Sequence, residues 1–282
     1  MNRLMFQFVF VLLALITFLS CSTCSRNRID TMGLPERDEP TQTEGGRERW
    51  SVLDEVGYPV ISDTISSRLL ERYCYTVSYN KMTRQPNWVM WELRGEHVMN
   101  RKEGVWNDYR VDEELPEEER STLEDYAHSG YDRGHMCPGG DCNWDDAGRD
   151  ETFVLSNMCP QHPKLNRGDW KEIENACRKW AQQYGRVFIV CGPIFFKSQE
   201  HERIGQNQVP VPEAFFKVVL CVEEGNRKGI GFICRNTEGN RKKDFYVNSI
   251  RQVERVTGYH FFPTLCNSIK DAVFDMDDIN VW

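Results

Sequence analysis

A chain of 282 residues with 40% hydrophobic and 12% aromatic content suits a globular fold with a substantial core, as one large domain or two small ones. The formal net charge of −8 disfavours a protein that coats nucleic acid by bulk attraction, since such domains are usually basic. It leaves room for an enzyme that grips a few phosphates locally. Eleven cysteines are many for a reducing compartment, whereas export would permit disulfides.

In chain order, residues 1–20 read as a secretion signal. Arg3 precedes an apolar run, Leu4 to Leu19, broken only by Gln7 and Thr17. That run is shorter than the roughly 18–20 residues a spanning helix wants. Phe18-Leu19-Ser20-Cys21 resembles a bacterial lipoprotein box, with Phe18 where an aliphatic residue is usual. Cys21 is therefore the expected lipidation site; the competing reading is ordinary signal cleavage or a retained anchor. Residues 21–49 form a polar linker containing Gly33, Pro35, Pro40, Gly45 and Gly46. The folded domain is assigned to residues 50–282. The expected location is an exported bacterial lipoprotein, periplasmic or on the cell surface, with the membrane face left open.

Within the domain, Asn87–Leu93, Thr152–Ser156, Val187–Cys191, Ala214–Val222 and Gly229–Cys234 read as strands, the third ended by Gly192-Pro193. The acidic run Asp112–Glu119 reads as a solvated loop or helix face. From about Gly168 to Tyr184, Trp170, Ile173, Ala176, Cys177, Trp180 and Ala181 recur at helical spacing, with Gly185 placed to stop the helix. A weaker helix spans about Asn248 to Val256, before Gly258. The expected fold class is α+β: antiparallel strands with one long helix packed against them. Cys137 and Cys142 flank a Pro-Gly-Gly turn and could close a short disulfide. Cys191, Cys221 and Cys234 lie in apolar runs and read as small buried side chains.

The chemistry concentrates in Asp132-Arg133-Gly134-His135. Hydrolysing a phosphodiester needs a base to take a proton from water, a cation on the phosphate and leaving oxygen, and donors for the crowded transition state. His135 supplies an imidazole that is neutral at pH 7, and Arg133 a permanently charged fork. Gly134 would let the backbone approach closely, and Asp132 reads as structural, pairing a cation or orienting a loop. Asn166 lies just before the long helix and Glu174 inside it. Eight residues are roughly two helical turns, so both could face one cleft. An Asn oxygen could ligate Mg²⁺ while most of the ion's waters stay in place, with Glu174 holding those waters. Alone, Asn166 would more often be a helix cap. Lys164, Arg167, Lys171 and Arg178 would line a local basic groove or form a solvated helix face. Cys137, Cys142, Cys159 and His162 could make a zinc site, but disulfides are the favoured reading in an exported chain. His97, His128, His201 and His260 read as surface or satisfied core groups, and Trp170, Trp180, Phe215 and Phe216 as core.

These motifs resemble the DNA/RNA non-specific endonucleases of the ββα-metal fold, the family of the Serratia nuclease and mitochondrial endonuclease G. The matching residues are Asp132-Arg133-Gly134-His135; Thr152-Phe153, Ser156-Asn157 and Pro160-Gln161; and Asn166, Trp170, Glu174 and Arg178. The strand ending in Gly192-Pro193 and the segment Pro212–Lys217 also fit, and the likeness runs from about Trp88 to Phe262. The resemblance implies a ββα-metal nuclease fold with a long metal-site helix. It implies His135 as general base, Asn166 as the direct ligand of Mg²⁺ (with Mn²⁺ able to substitute), and Glu174 binding metal-bound water. Arg133 would contact the phosphate, with Arg167 and Arg178 as further substrate contacts. Asn157 and Gln161 would shape the site. DNA and RNA would be cut with little base preference to leave 5′-phosphate ends. Relatives also make a homodimer an expectation; no residue identifies an inhibitor partner. Cys137, Cys142 and Cys159 depart from the family pattern near the active loop. Two rival readings fit the same residues. One is a catalytically inactive nucleic-acid-binding surface lipoprotein. The other is a narrower phosphodiesterase, separable by its preference for a small phosphodiester over polymeric DNA.

Overall fold

The computed structural model describes residues 55–102, 104, 107–196 and 200–282. The leader, Cys21 and the linker lie outside the described residues. At the centre is a seven-stranded antiparallel sheet. Its strands are β1 (Arg68–Glu71), β2 (Thr76–Asn80), β3 (Gln85–Arg94), β6 (Arg186–Ile194), β9 (Ala214–Cys221), β10 (Lys228–Arg235) and β11 (Val247–Asn248), in that spatial order. Two short ribbons stand apart from it: β4 (Asp132–His135) with β5 (Met158–Gln161), and β7 (Arg203–Ile204) with β8 (Val209–Pro210).

Both faces of the sheet are covered, which is why β6 and β9 read as continuous apolar runs rather than alternating ones. Residues of one parity, including Trp91, Ile189, Phe215 and Val219, pack with Trp170, Ile173, Cys177 and Trp180 of the long helix segment. Those of the other parity, including Trp88, Val190, Phe216 and Val218, pack with Ile250, Val253, Phe261 and Phe274. Burying a side chain of this size contributes about 1.5–3 kcal/mol, so the two layers are the main store of stability.

Four helices matter here: α1 (Gly95–Met99), α2 (Lys171–Tyr184), α3 (Ile250–Thr257) and α4 (Asn267–Val273). Helix α2 stops at Gly185, which takes φ +90°, a conformation costly for any side chain. Helix α3 starts at a capping box between Ser249 and Gln252 and ends at left-handed Gly258. Helix α1 lies so close to α2 that a Cβ on Gly95 would sit 2.6 Å from the Ala181 carbonyl oxygen.

The structure corrects four expectations about elements. Thr152–Ser156 is not a strand: the Thr152 hydroxyl closes a helical turn onto Arg149 O (2.6 Å), and Val154 makes only a single bridge, to Arg110. Gly192-Pro193 does not end β6, which runs on to Ile194 with Pro193 opposite Phe215. The acidic run is not wholly solvated, since Asp112 is buried against Arg72 at 2.5 Å. The fourth concerns Cys137 and Cys142, which are free thiols with sulfurs 3.7 Å apart across the turn. The nine described cysteines are all free, and among them Cys266, at the start of α4, is the exposed one.

Candidate active site

The tetrapeptide Asp132–His135 forms β4, held by antiparallel pairing with β5 in the register Asp132 to Gln161 and His135 to Met158. Alternation along the strand sends Arg133 and His135 to the same side. Tyr109 meets both there. The Arg133 guanidinium lies 4.1 Å from the Tyr109 ring centre, and the His135 ring is 5.6 Å from it. Phe153 closes the other side of the imidazole edge-on at 5.0 Å. Burial, and then the Arg133 charge, lower the His135 pKa to about 4. Its Nε2 is buried with no hydrogen-bond partner. A neutral imidazole with an unengaged nitrogen is suited to accepting a proton.

Gly134 has a packing reason rather than the expected approach to phosphate: a Cβ there would lie 2.3 Å from the Gln161 Oε1 atom. Gln161 is buried beneath it. Asn157 staples the chain that leaves β4. Its side chain accepts from Cys137 N (2.9 Å) and donates to Cys137 O (2.8 Å) and Thr152 O (2.9 Å).

Asp132 is on the opposite side of β4 and gathers two groups. It accepts from the Asn166 amide nitrogen (2.9 Å) and takes the Arg167 guanidinium in a two-point pair (2.8 and 2.6 Å). Asp132, Arg133, Asn166 and Arg167 then line one cleft of about 430 Å³ together with Tyr109, Tyr126 and Tyr131. Residues 166–170 form a wide π turn that breaks at Gly168 (φ −109°, ψ −105°) before α2 begins. Such turns often mark functional positions.

That break means that regular helical spacing does not relate Asn166 to Glu174. Asn166 opens on the cleft, whereas Glu174 is half-buried among Arg178, Asp141 and Lys217. Arg178 donates from Nε to Asp141 (2.6 Å) and lies 3.6 Å from Glu174; Trp91 donates to the other Asp141 oxygen (3.1 Å). Burial raises the Glu174 pKa to about 7, with Asp141 adding to the rise and Arg178 and Lys217 opposing it. The expected substrate contact by Arg178 is also revised, because its guanidinium is turned inward onto these carboxylates. The basic groove thins accordingly: Lys164 pairs with Glu238 at 3.0 Å, leaving Arg133 and Arg167 as the arginines on the cleft. His162 caps the turn at Pro163 by accepting from Lys164 N (3.2 Å), and the zinc arrangement is not assembled.

Donor chemistry decides whether these residues suit a divalent ion. With its nitrogen committed to Asp132, the Asn166 amide leaves its hard, neutral oxygen for a cation. Among the described residues no group of three or more His, Cys, Asp or Glu side chains could hold a metal. One oxygen ligand plus water fits Mg²⁺, which dehydrates reluctantly, far better than it fits zinc.

Sequence reasoning missed Tyr109, Asp141 and Lys217. Lys217 carried a signal: a lone charge in the apolar strand Ala214–Cys221.

The profile of the DNA/RNA non-specific endonucleases matches residues 54–268, roughly three quarters of the chain. The chain belongs to that family. Nuclease C1 of the fungus Cunninghamella echinulata var. echinulata is 34% identical over 214 residues, covering 70% of this chain and 83% of that one. Mitochondrial endonuclease G of Homo sapiens is 30% identical over 210 residues, covering 71% of each. Among solved structures, a chain of the EndoG/EndoGI complex superposes with a TM-score of 0.69 at 28% identity, covering 77% of this chain and 93% of that one. As a DNA/RNA non-specific endonuclease of α+β, ββα-metal architecture, the chain is a phosphodiester hydrolase.

Proposed function

We propose that this nuclease is an exported, lipid-anchored enzyme that uses hydrated Mg²⁺, with Mn²⁺ able to substitute, to cut DNA and RNA to 5′-phosphate ends. The observation that carries the reading is the neutral, half-buried His135 with its unpartnered Nε2, set beside Arg133 on a strand that borders the Asn166 cleft.

His135 accepts at Nε2 the proton of the attacking water. An anionic phosphate bound nearby would raise the low pKa of the ring, making it a better base when substrate is present. Arg133, its guanidinium carbon over the Tyr109 ring, offers its N–H groups to the phosphate oxygens. Asp132 fixes both Asn166 and Arg167, and Arg167, largely exposed, reaches toward the nucleic-acid backbone. Asn166 would hold the ion directly, and ionised Glu174 would hold metal-bound water. The bound ion would supply positive charge to the reacting phosphate and the departing 3′ oxygen.

The test is degradation of plasmid DNA and RNA by the purified chain. His135→Ala should lower the rate at least about 10²-fold, as loss of a general base does, and chelation by EDTA should stop cleavage. Cleavage that survives both treatments would overturn the assignment.

A further inference from the structure

Lys217 is the least expected charge in the protein. It sits at the centre of β9, 1% exposed, and its ammonium has no hydrogen-bond partner. It is on the α2 face of the sheet, with Phe215, Val219 and Cys221. An apolar residue would pack there at no electrostatic cost, since a buried charge without partners is destabilising. Burial lowers the Lys217 pKa, but Cys191, Cys177, Glu174 and Asp141 raise it, and the net direction is upward.

The ammonium lies over two indoles, 4.4 Å from the Trp170 ring centre and 5.1 Å from that of Trp91. Each indole spends its N–H on the active region. Trp170 donates to the His135 carbonyl (3.4 Å), and Trp91 donates to Asp141 (3.1 Å), the carboxylate that holds Arg178 beside Glu174. A cation on a ring face attracts it electrostatically and polarises its N–H into a stronger donor. We infer that Lys217 is a positioning residue for phosphodiester cleavage: its ammonium clamps Trp170 and Trp91, and through them fixes the His135 end of β4 and the Asp141–Arg178–Glu174 chain. It touches neither substrate nor reacting atoms.

This rests on the reading of His135 as the base, so His135→Ala is assayed alongside. Activity that survives His135→Ala sinks that reading whatever Lys217 does. With the base confirmed, Lys217→Met keeps the length of the side chain and removes the charge. The expected result is kcat lowered about tenfold or more, since small displacements of a reacting group are costly. KM for DNA should be unchanged and the melting temperature equal or higher. Lys217→Arg should restore part of kcat. A Met variant that melts lower yet keeps wild-type kcat would make Lys217 a packing residue and overturn the inference. If the Met variant does not fold, Trp170→Phe carries the test. It keeps a ring face for the ammonium but removes the N–H to His135, so kcat should fall with KM kept, and an unchanged kcat overturns the clamp.

Discussion

Burial and the Arg133 charge push the His135 pKa down together, to about 4, while burial pushes the Glu174 carboxyl up to about 7. The signs are opposite. For the imidazole the fold favours the neutral form, so its contribution to stability is complete above the ordinary value of about 6.5 and is lost as the pH falls toward 4. For the carboxyl the fold favours the protonated form, so its contribution is present below the ordinary carboxylate range and is lost as the pH rises through 7. A cation beside Glu174 expels that proton. The acid limb of the kcat/KM profile, which reports the substrate-free enzyme, should therefore lie near 7 at low Mg²⁺ and move toward 4 as Mg²⁺ saturates. Profiles at two metal concentrations check this; a limb fixed near the ordinary histidine value at both would contradict it. Arg133 and His135 were legible from the tetrapeptide because their spacing and chemistry are local. The inward turn of Arg178 was not, because Asp141, which turns it, is 37 residues away in the chain. Lys217 was missed, because a lone charge in an apolar strand acquires a meaning only from its packing against two distant tryptophans.

Elements followed the same rule of locality. Helix α2 and its stop at Gly185 were readable because period and terminator lie in one segment. Strands β6, β9 and β10 were readable as apolar runs between turn residues. β4 was not recognised as a strand, since four mostly polar residues become one only through pairing with β5, which begins 23 residues beyond its end. Thr152–Ser156 has strand-like residues, but Phe153 is used to pack on His135, and tertiary contacts overrode propensity. The contact of α1 with α2 offers a test at this scale. Gly95→Ala should push the helices apart and destabilise the fold by about 1–3 kcal/mol, the usual range for overpacking. Denaturant midpoints would read the loss, and an unchanged midpoint would show that the interface yields easily. Catalysis by the remaining folded protein should be nearly normal, because Gly95 does not line the cleft.

For the whole molecule, composition had indicated a large core and a local rather than global grip on phosphate, and a net charge of −8 sits beside a cleft with only two lining arginines. Attachment to a membrane is a separate proposal that stands on the leader and on Cys21. Cys21→Ala should abolish incorporation of a labelled fatty acid and release the chain from the membrane fraction, with nuclease activity retained. A variant that stays labelled would locate the lipid elsewhere. The sheet also divides the molecule chemically. The cleft belongs to the α2 side, while Cys266 opens α4 on the other side, its thiol made more acidic by the Ser268 hydroxyl and the Ile269 backbone. A maleimide dye or a surface tether would thus find a reactive sulfhydryl at Cys266, and the enzyme could be imaged or immobilised by its back while the nucleic-acid side stays open.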